Sequence, residues 1–341
     1  GEIKAKAAMD HKSSFSITPP VYADGIVFVA LSGGTVQAFN ASTLESLWIY
    51  TDKLGGQPNC PLTVKNGYLY TGFWNSETGN ANFVCLSVTD EDPAQSGESK
   101  CASWYYTGKG GFYWAGAAVV GSNVVFGAEN GHIYSRPIGD TFGTAAGGDL
   151  DLHTFKSDVD AVRSSICYNN GYLYFTTKDA TLWKVSSTLT GTALYCNLGI
   201  SGVVVNASST PVVSPSGYVY VGGYFIDWSS GLGVYKGALE SVYTETWNTT
   251  NITANVLWTA TSNGAVQSSP VVYNDNDTDY VYFTTNGANG KAVCVAYDTD
   301  FDDASEAWSV AAGAYPLQGL SVSDNGYMTF GNDNNTVFVL K

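Results

Sequence analysis

The sequence predicts an all-β protein, a seven-bladed β-propeller of four-stranded antiparallel blades forming a single domain over residues 1–341. Three observations predict it. One strand–turn–strand unit returns seven times along the chain. The composition favours strands and turns over helices, with 38 Gly and 23 Tyr against 2 Met, and only 13% of residues charged. Tryptophan recurs after the hairpins, where a last strand of each unit belongs. Four strands at spacings of about 40–60 residues is the period of a propeller blade.

The units begin near residues 20, 61, 117, 165, 211, 270 and 320. Their opening hairpins turn on Asp24-Gly25, Asn66-Gly67, Asn170-Gly171, Ser216-Gly217 and Asn325-Gly326. Such pairs tolerate positive φ and close two-residue hairpins whose twist matches the strands. The returning strands alternate, as in Tyr68-Leu69-Tyr70 and Tyr218-Val219-Tyr220, so every second side chain faces one way. A fourth strand follows at Trp48, Trp104, Trp258 and Trp308. The seventh unit stops after its third strand. Residues 2–8 alternate apolar and charged side chains and are expected to complete that blade and close the ring, the other reading being a frayed tail.

Within the first unit, Ala38-Phe39-Asn40-Ala41-Ser42-Thr43-Leu44-Glu45-Ser46-Leu47-Trp48 resembles the repeat of the quinoprotein-like (pyrroloquinoline-quinone, PQQ) propeller family, A-x-D-x-x-T-G-x-x-x-W. Asn40 stands for the Asp and Leu44 for the Gly. The resemblance implies that Asn40 and Thr43 bind the turn and that Trp48 packs between blades. Ala296-Tyr297-Asp298, followed after an insertion by Trp308, is a looser copy. The quinone-dependent dehydrogenases of this family have eight blades, a vicinal disulfide and a calcium beside the cofactor. This chain has seven units, no adjacent cysteines and only two arginines, Arg136 and Arg163, so the resemblance does not extend to PQQ.

A net charge of −15 removes the basic surface that nucleic acid requires and disfavours anionic membranes. No apolar stretch approaches the ~20 residues of a membrane-spanning helix. No signal peptide is visible in the opening Gly1-Glu2-Ile3-Lys4, and Gly1 is expected to be a scar of tag removal, which would mean that a leader was trimmed. Six sequons, at Asn40, Asn206, Asn248, Asn251, Asn276 and Asn334, read either as a sign of the cell exterior or as chance in a chain rich in Asn, Ser and Thr. The six cysteines lack metal-type spacing. They are buried free thiols, or include a disulfide between Cys85 and Cys101 across the polar loop 89–100.

Candidate site residues come from loops entering the blades. Phe112, Tyr113 and Trp114 follow two glycines, and read either as packing between blades or as an exposed stacking platform. Arg163, Gln267 and Gln318 occupy one equivalent position before their strands. Arg163 reads as a partner of Asp158 or Asp160, or as part of a polar ring for a ligand. Tyr113, Trp114, Arg163, Gln267 and Gln318 are therefore the expected ligand contacts. Asp275, Asp277 and Asp279 alternate like a calcium loop, and also like an ordinary solvated turn. Catalytic motifs are absent, and His11, His132 and His153 are far apart in the chain. The expected function is that of a monomeric, non-catalytic, extracellular or cell-surface module binding a glycan or a protein. The alternatives are a propeller lyase, hydrolase or oxidoreductase, or an outer-membrane assembly scaffold like the lipoprotein with a similar repeat.

Overall fold

The computed structural model describes residues 5–11, 18–143, 148–200 and 205–341. Among the described residues regular structure is strand, apart from one 3-10 turn at Leu152–Thr154. The chain divides into two compact units, one comprising Gly1–Thr154, Ala161–Ile166 and Thr188–Thr190, the other Phe155–Asp160, Cys167–Ser187 and Gly191–Lys341.

The first unit holds three sheets. The first runs Val21–Ala23, Ile26–Leu31, Thr35–Asn40 and Ser46–Thr51, with Glu98–Lys100 added in parallel at its edge. The second is Thr63–Lys65, Tyr68–Gly72, Asn80–Ser87 and Trp104–Lys109. The third is Ala118–Val120, Asn123–Gly127, His132–Pro137 and Asp149–Asp151.

The second unit holds four sheets. One opens with Cys167–Asn169, Tyr172–Thr177, Thr181–Ser186 and Leu194–Asn197, and gains Ile252–Thr253 in parallel. In the next, the ten-residue pair Tyr218–Asp227 and Val234–Tyr243 is flanked by Asn255–Thr259 and by two short strands, Val205–Asn206 and Val212–Val213. Then come Val271–Asp275, Thr278–Thr284, Gly290–Asp298 and Asp303–Gly313. The last sheet has three strands, Ser321–Val322, Met328–Gly331 and Val337–Leu340.

The hairpins turn where the sequence indicated. Asp24-Gly25, Asn66-Gly67 and Asn170-Gly171 all carry positive φ at both positions, from 45° to 83°. Alternation then sends large side chains into layers shared by successive sheets. Phe28, Trp48, Leu69 and Val84 fill one such layer, and Tyr70, Phe83, Trp104 and Phe126 fill the next. Phe83 and Phe126 stack at 3.8 Å between centroids and 2° between planes. Each buried ring contributes roughly 1.5–3 kcal/mol by leaving water.

The repeat motif works as its resemblance implied. Asn40 Oδ1 accepts from the Ser42 and Thr43 amides at 2.9 and 3.1 Å, and Leu44 takes the positive φ that Gly usually fills, at 59°. Trp48 is fully buried, and its indole donates to the Val88 carbonyl of the following sheet at 3.2 Å. Asp298 repeats the turn, accepting from the Asp300 and Phe301 amides.

At four junctions a hydroxyl links one blade's residues to the loop that enters the next sheet. Thr63 Oγ1 donates to the Ala117 carbonyl. Thr176 Oγ1 donates to that of Ser209, Ser209 Oγ to that of Ser268, and Thr284 Oγ1 to that of Gln318.

Three expectations change. Of the closing strand expected at residues 2–8, residues 2–4 lie outside the described residues and the remainder is not strand. Two sheets carry a fifth, parallel strand that no repeat spacing announced. The disulfide is not formed, and all six cysteines are free thiols. The register sets Trp104, not Cys101, opposite Cys85, whose buried Sγ faces the Gly139 carbonyl, while Cys101 is exposed.

Candidate binding site

The loop after Trp104–Lys109 builds the most developed surface site in the first unit. Gly110 and Gly111 both have positive φ, 79° and 75°. Neither could carry a side chain, since a Cβ on Gly110 would lie 2.6 Å from Glu129 Cβ, and one on Gly111 would lie 2.7 Å from the Phe73 carbonyl. That tight passage drives Phe112 into the core, where it meets Phe83 and Phe126 edge-on. Phe112 is thus an anchor and not part of a platform.

Tyr113 and Trp114 emerge half-buried beyond the anchor. Trp114 holds φ at 59°, an unusual conformation for a bulky residue and a mark of local strain. The Tyr113 ring lies 4.6 Å from the Trp114 ring and 4.8 Å from Trp74. Trp74 is fixed by paired backbone hydrogen bonds with Gln57 at 2.7 and 3.1 Å.

Arg163 completes the cluster, its guanidinium 5.0 Å from the Tyr113 centroid. It forks onto Glu129, Nε to Oε1 at 2.8 Å and Nη2 to Oε2 at 2.7 Å, and reaches Glu77 at 3.1 Å. The sequence pointed to Asp158 or Asp160 instead, but Asp158 pairs with Lys156. Burial opposes the Arg163 charge, yet the Glu129 and Glu77 carboxylates outweigh it and raise its pKa. Burial likewise raises the Tyr113 phenol, against the pull of Arg163.

Among the described residues, three buried polar atoms near this loop have no hydrogen-bond partner: Trp74 Nε1, Trp114 Nε1 and Asn59 Oδ1. Asn59 donates to Gln57 Oε1, which ties it to the Trp74 bridge. Unsatisfied buried donors are rare in proteins and call for a partner.

The structure therefore brings Tyr113, Trp114 and Arg163 together and adds Trp74, Asn59, Glu77 and Glu129. Trp74 carried a sequence signal, an aromatic in the polar loop Asn75-Ser76-Glu77 after a strand. Gln267 and Gln318 belong to the second unit. Gln267 accepts from Asn286 Nδ2 at 2.7 Å, and Gln318 is exposed and lends its backbone carbonyl to Thr284.

The possible calcium loop is corrected. Asp279 faces inward, fully buried, because strand alternation turns it toward the preceding sheet. Its carboxylate accepts from Ser214 at 2.7 Å, Asn274 at 2.8 Å and Tyr220 at 2.6 Å, and also from Ser216. Asp275 only accepts from the neighbouring Asn276 side chain, and Asp277 offers its backbone carbonyl to Thr299. The three carboxylates do not converge on one point.

No family model matches the chain, nor does any curated protein. Among solved structures its fold is similar to that of BamB from Moraxella catarrhalis, with a TM-score of 0.62 at 14% identity over 92% of this chain and 81% of that one. A europium-containing methanol dehydrogenase matches with a TM-score of 0.60 at 11% identity, over 92% and 72% of the two chains. Both are PQQ-repeat β-propellers, so this fold is shown for the chain. At such identity the likeness carries architecture and not function.

Proposed function

We propose that the chain is a non-catalytic binding module, outside the cell or on its surface, that recognises a neutral glycan through Trp74, Tyr113, Trp114 and Arg163. The observation that carries this reading is the half-buried aromatic cluster in which the Tyr113 ring lies against both Trp74 and Trp114, with the Arg163 guanidinium over it. A sugar offers C–H faces that stack on flat rings and hydroxyls that both donate and accept. The Arg163 charge is balanced by Glu129 and Glu77, which argues for hydroxyls over an anionic ligand. Such a module works as a monomer without cofactor.

For the whole chain we further propose a closed seven-bladed ring. The last strand, Val337–Leu340, supports this, for it exposes Val337 and Val339 at 74% and 60% along an edge that pairs with no other strand among the described residues.

The test is a neutral-oligosaccharide array followed by calorimetry on the best binder. Trp114→Ala is expected to weaken binding by about 2 kcal/mol or more while leaving the melting temperature nearly unchanged. Unchanged affinity alongside a collapsed melting temperature would make Trp114 a core residue and end this reading.

A further inference from the structure

Two of the three histidines of the chain converge on one carboxylate oxygen in the third sheet. His132 begins the strand His132–Pro137, and its cross-strand partner is Asp151, the last residue of Asp149–Asp151. The chain then tightens into the 3-10 turn Leu152–Thr154, which folds His153 back over the same edge. His153 Nδ1 lies 2.8 Å and His132 Nε2 lies 3.5 Å from Asp151 Oδ1. All three ligand atoms lie within 4.8 Å of one another.

We propose that His132, Asp151 and His153 form a binding site for a divalent transition ion of the zinc class. Two atoms about 2.1 Å from a tetrahedral ion stand about 3.4 Å apart, so the separations here need only small side-chain rotations to enclose one. Two imidazoles and a carboxylate select a borderline ion over calcium or magnesium, which take all-oxygen shells. The strand pair fixes two of the ligands, and the stacked Tyr134 ring, 5.9 Å from His132 and 12° from its plane, holds that imidazole in orientation. The side chains are 30–43% exposed, so solvent reaches the ion and supplies its remaining ligands. This site is separate from the glycan reading, and either can fail without the other.

The experiment titrates zinc chloride into the full untagged chain by calorimetry, in a Cys101→Ser background that removes the exposed thiol. Expected are one ion per chain, shifts of the His132 and His153 imidazole resonances on zinc addition, and no such shifts with calcium. His153→Ala, in an exposed turn, and Asp151→Asn are each expected to weaken zinc binding by more than about 100-fold, beyond the ~10–100-fold that loss of a supporting partner causes. Melting curves of the zinc-free variants, expected within a degree or two of the parent, separate loss of the site from loss of the fold. The proposal is overturned if zinc does not bind, if both variants bind it as the parent does, or if calcium moves the same resonances.

Discussion

Glu240 is the most consequential titratable group in the second unit. It is fully buried in the strand Val234–Tyr243, at a register shift between Leu239 and Glu240. One carboxylate oxygen accepts the Gly199 amide, and the other, Oε1, has no hydrogen-bond partner among the described residues. Burial drives its pKa up to about 8, against the Gly199 and Ile200 amides that favour the charged form. The native state therefore holds a proton between about pH 4.5 and 8 that the unfolded chain releases. Raising the pH through that window favours unfolding, so this group's contribution is full below about 4.5 and gone above about 8. At ~1.36 kcal/mol per pH unit the whole span is worth about 5 kcal/mol, of which about 3 kcal/mol is lost by pH 7. Glu240→Gln keeps an oxygen for Gly199 and cannot ionise. Urea unfolding of parent and variant from pH 5 to pH 9 is expected to show the variant gaining on the parent up to about pH 8 and the gain levelling off above it. Parallel stability curves across that range would refute the reasoning.

Three further outcomes follow from the same packing. Asp279→Ala leaves Ser214, Ser216, Tyr220 and Asn274 without their shared acceptor, and is expected to cost about 3–5 kcal/mol in urea unfolding; a loss under 1 kcal/mol would show that the carboxylate is dispensable. A thiol reagent on the native chain is expected to label Cys101 rapidly and the buried Cys60, Cys85, Cys196 and Cys294 only after denaturation, read by peptide mass, and rapid labelling of Cys85 would contradict the burial. Deleting residues 1–9 is expected to lower the melting temperature by several degrees if they close the last blade, whereas a change within a degree or two would remove the closing strand from the ring.

The fold was legible because its signals are local. Asn66-Gly67 and Asn170-Gly171 dictate their turns from two residues each, and Tyr68-Leu69-Tyr70 declares its faces without reference to anything distant. The parallel strands Glu98–Lys100 and Ile252–Thr253 were not legible, since each is only two or three residues long and ordered by a neighbouring edge. The site was legible in part. Two glycines before Phe112, Tyr113 and Trp114 announce a constrained loop, but which ring becomes the anchor depends on contacts with Phe83 and Phe126. Asp279 read like a turn acidic residue because three of its four donors, Ser214, Ser216 and Tyr220, come from a hairpin distant in the chain. His132 and Asp151 are cross-strand partners too far apart in the chain for their spacing to read as a motif.

The hydroxyl links between sheets bear on how freely such a chain can change over time. In each, the donor is a Ser or Thr side chain, while the acceptor is a main-chain carbonyl. A carbonyl is supplied by any amino acid, so the receiving position is released from selection on identity and only the giving position is held. A tandem copy of one unit inherits both halves of its junction and seats itself, after which its letters can drift while the joint persists. Drift of that kind erases the written motif first, and here only residues 38–48 still spell it nearly in full. Kinship in such a lineage is recorded in main-chain geometry long after it has left the alphabet.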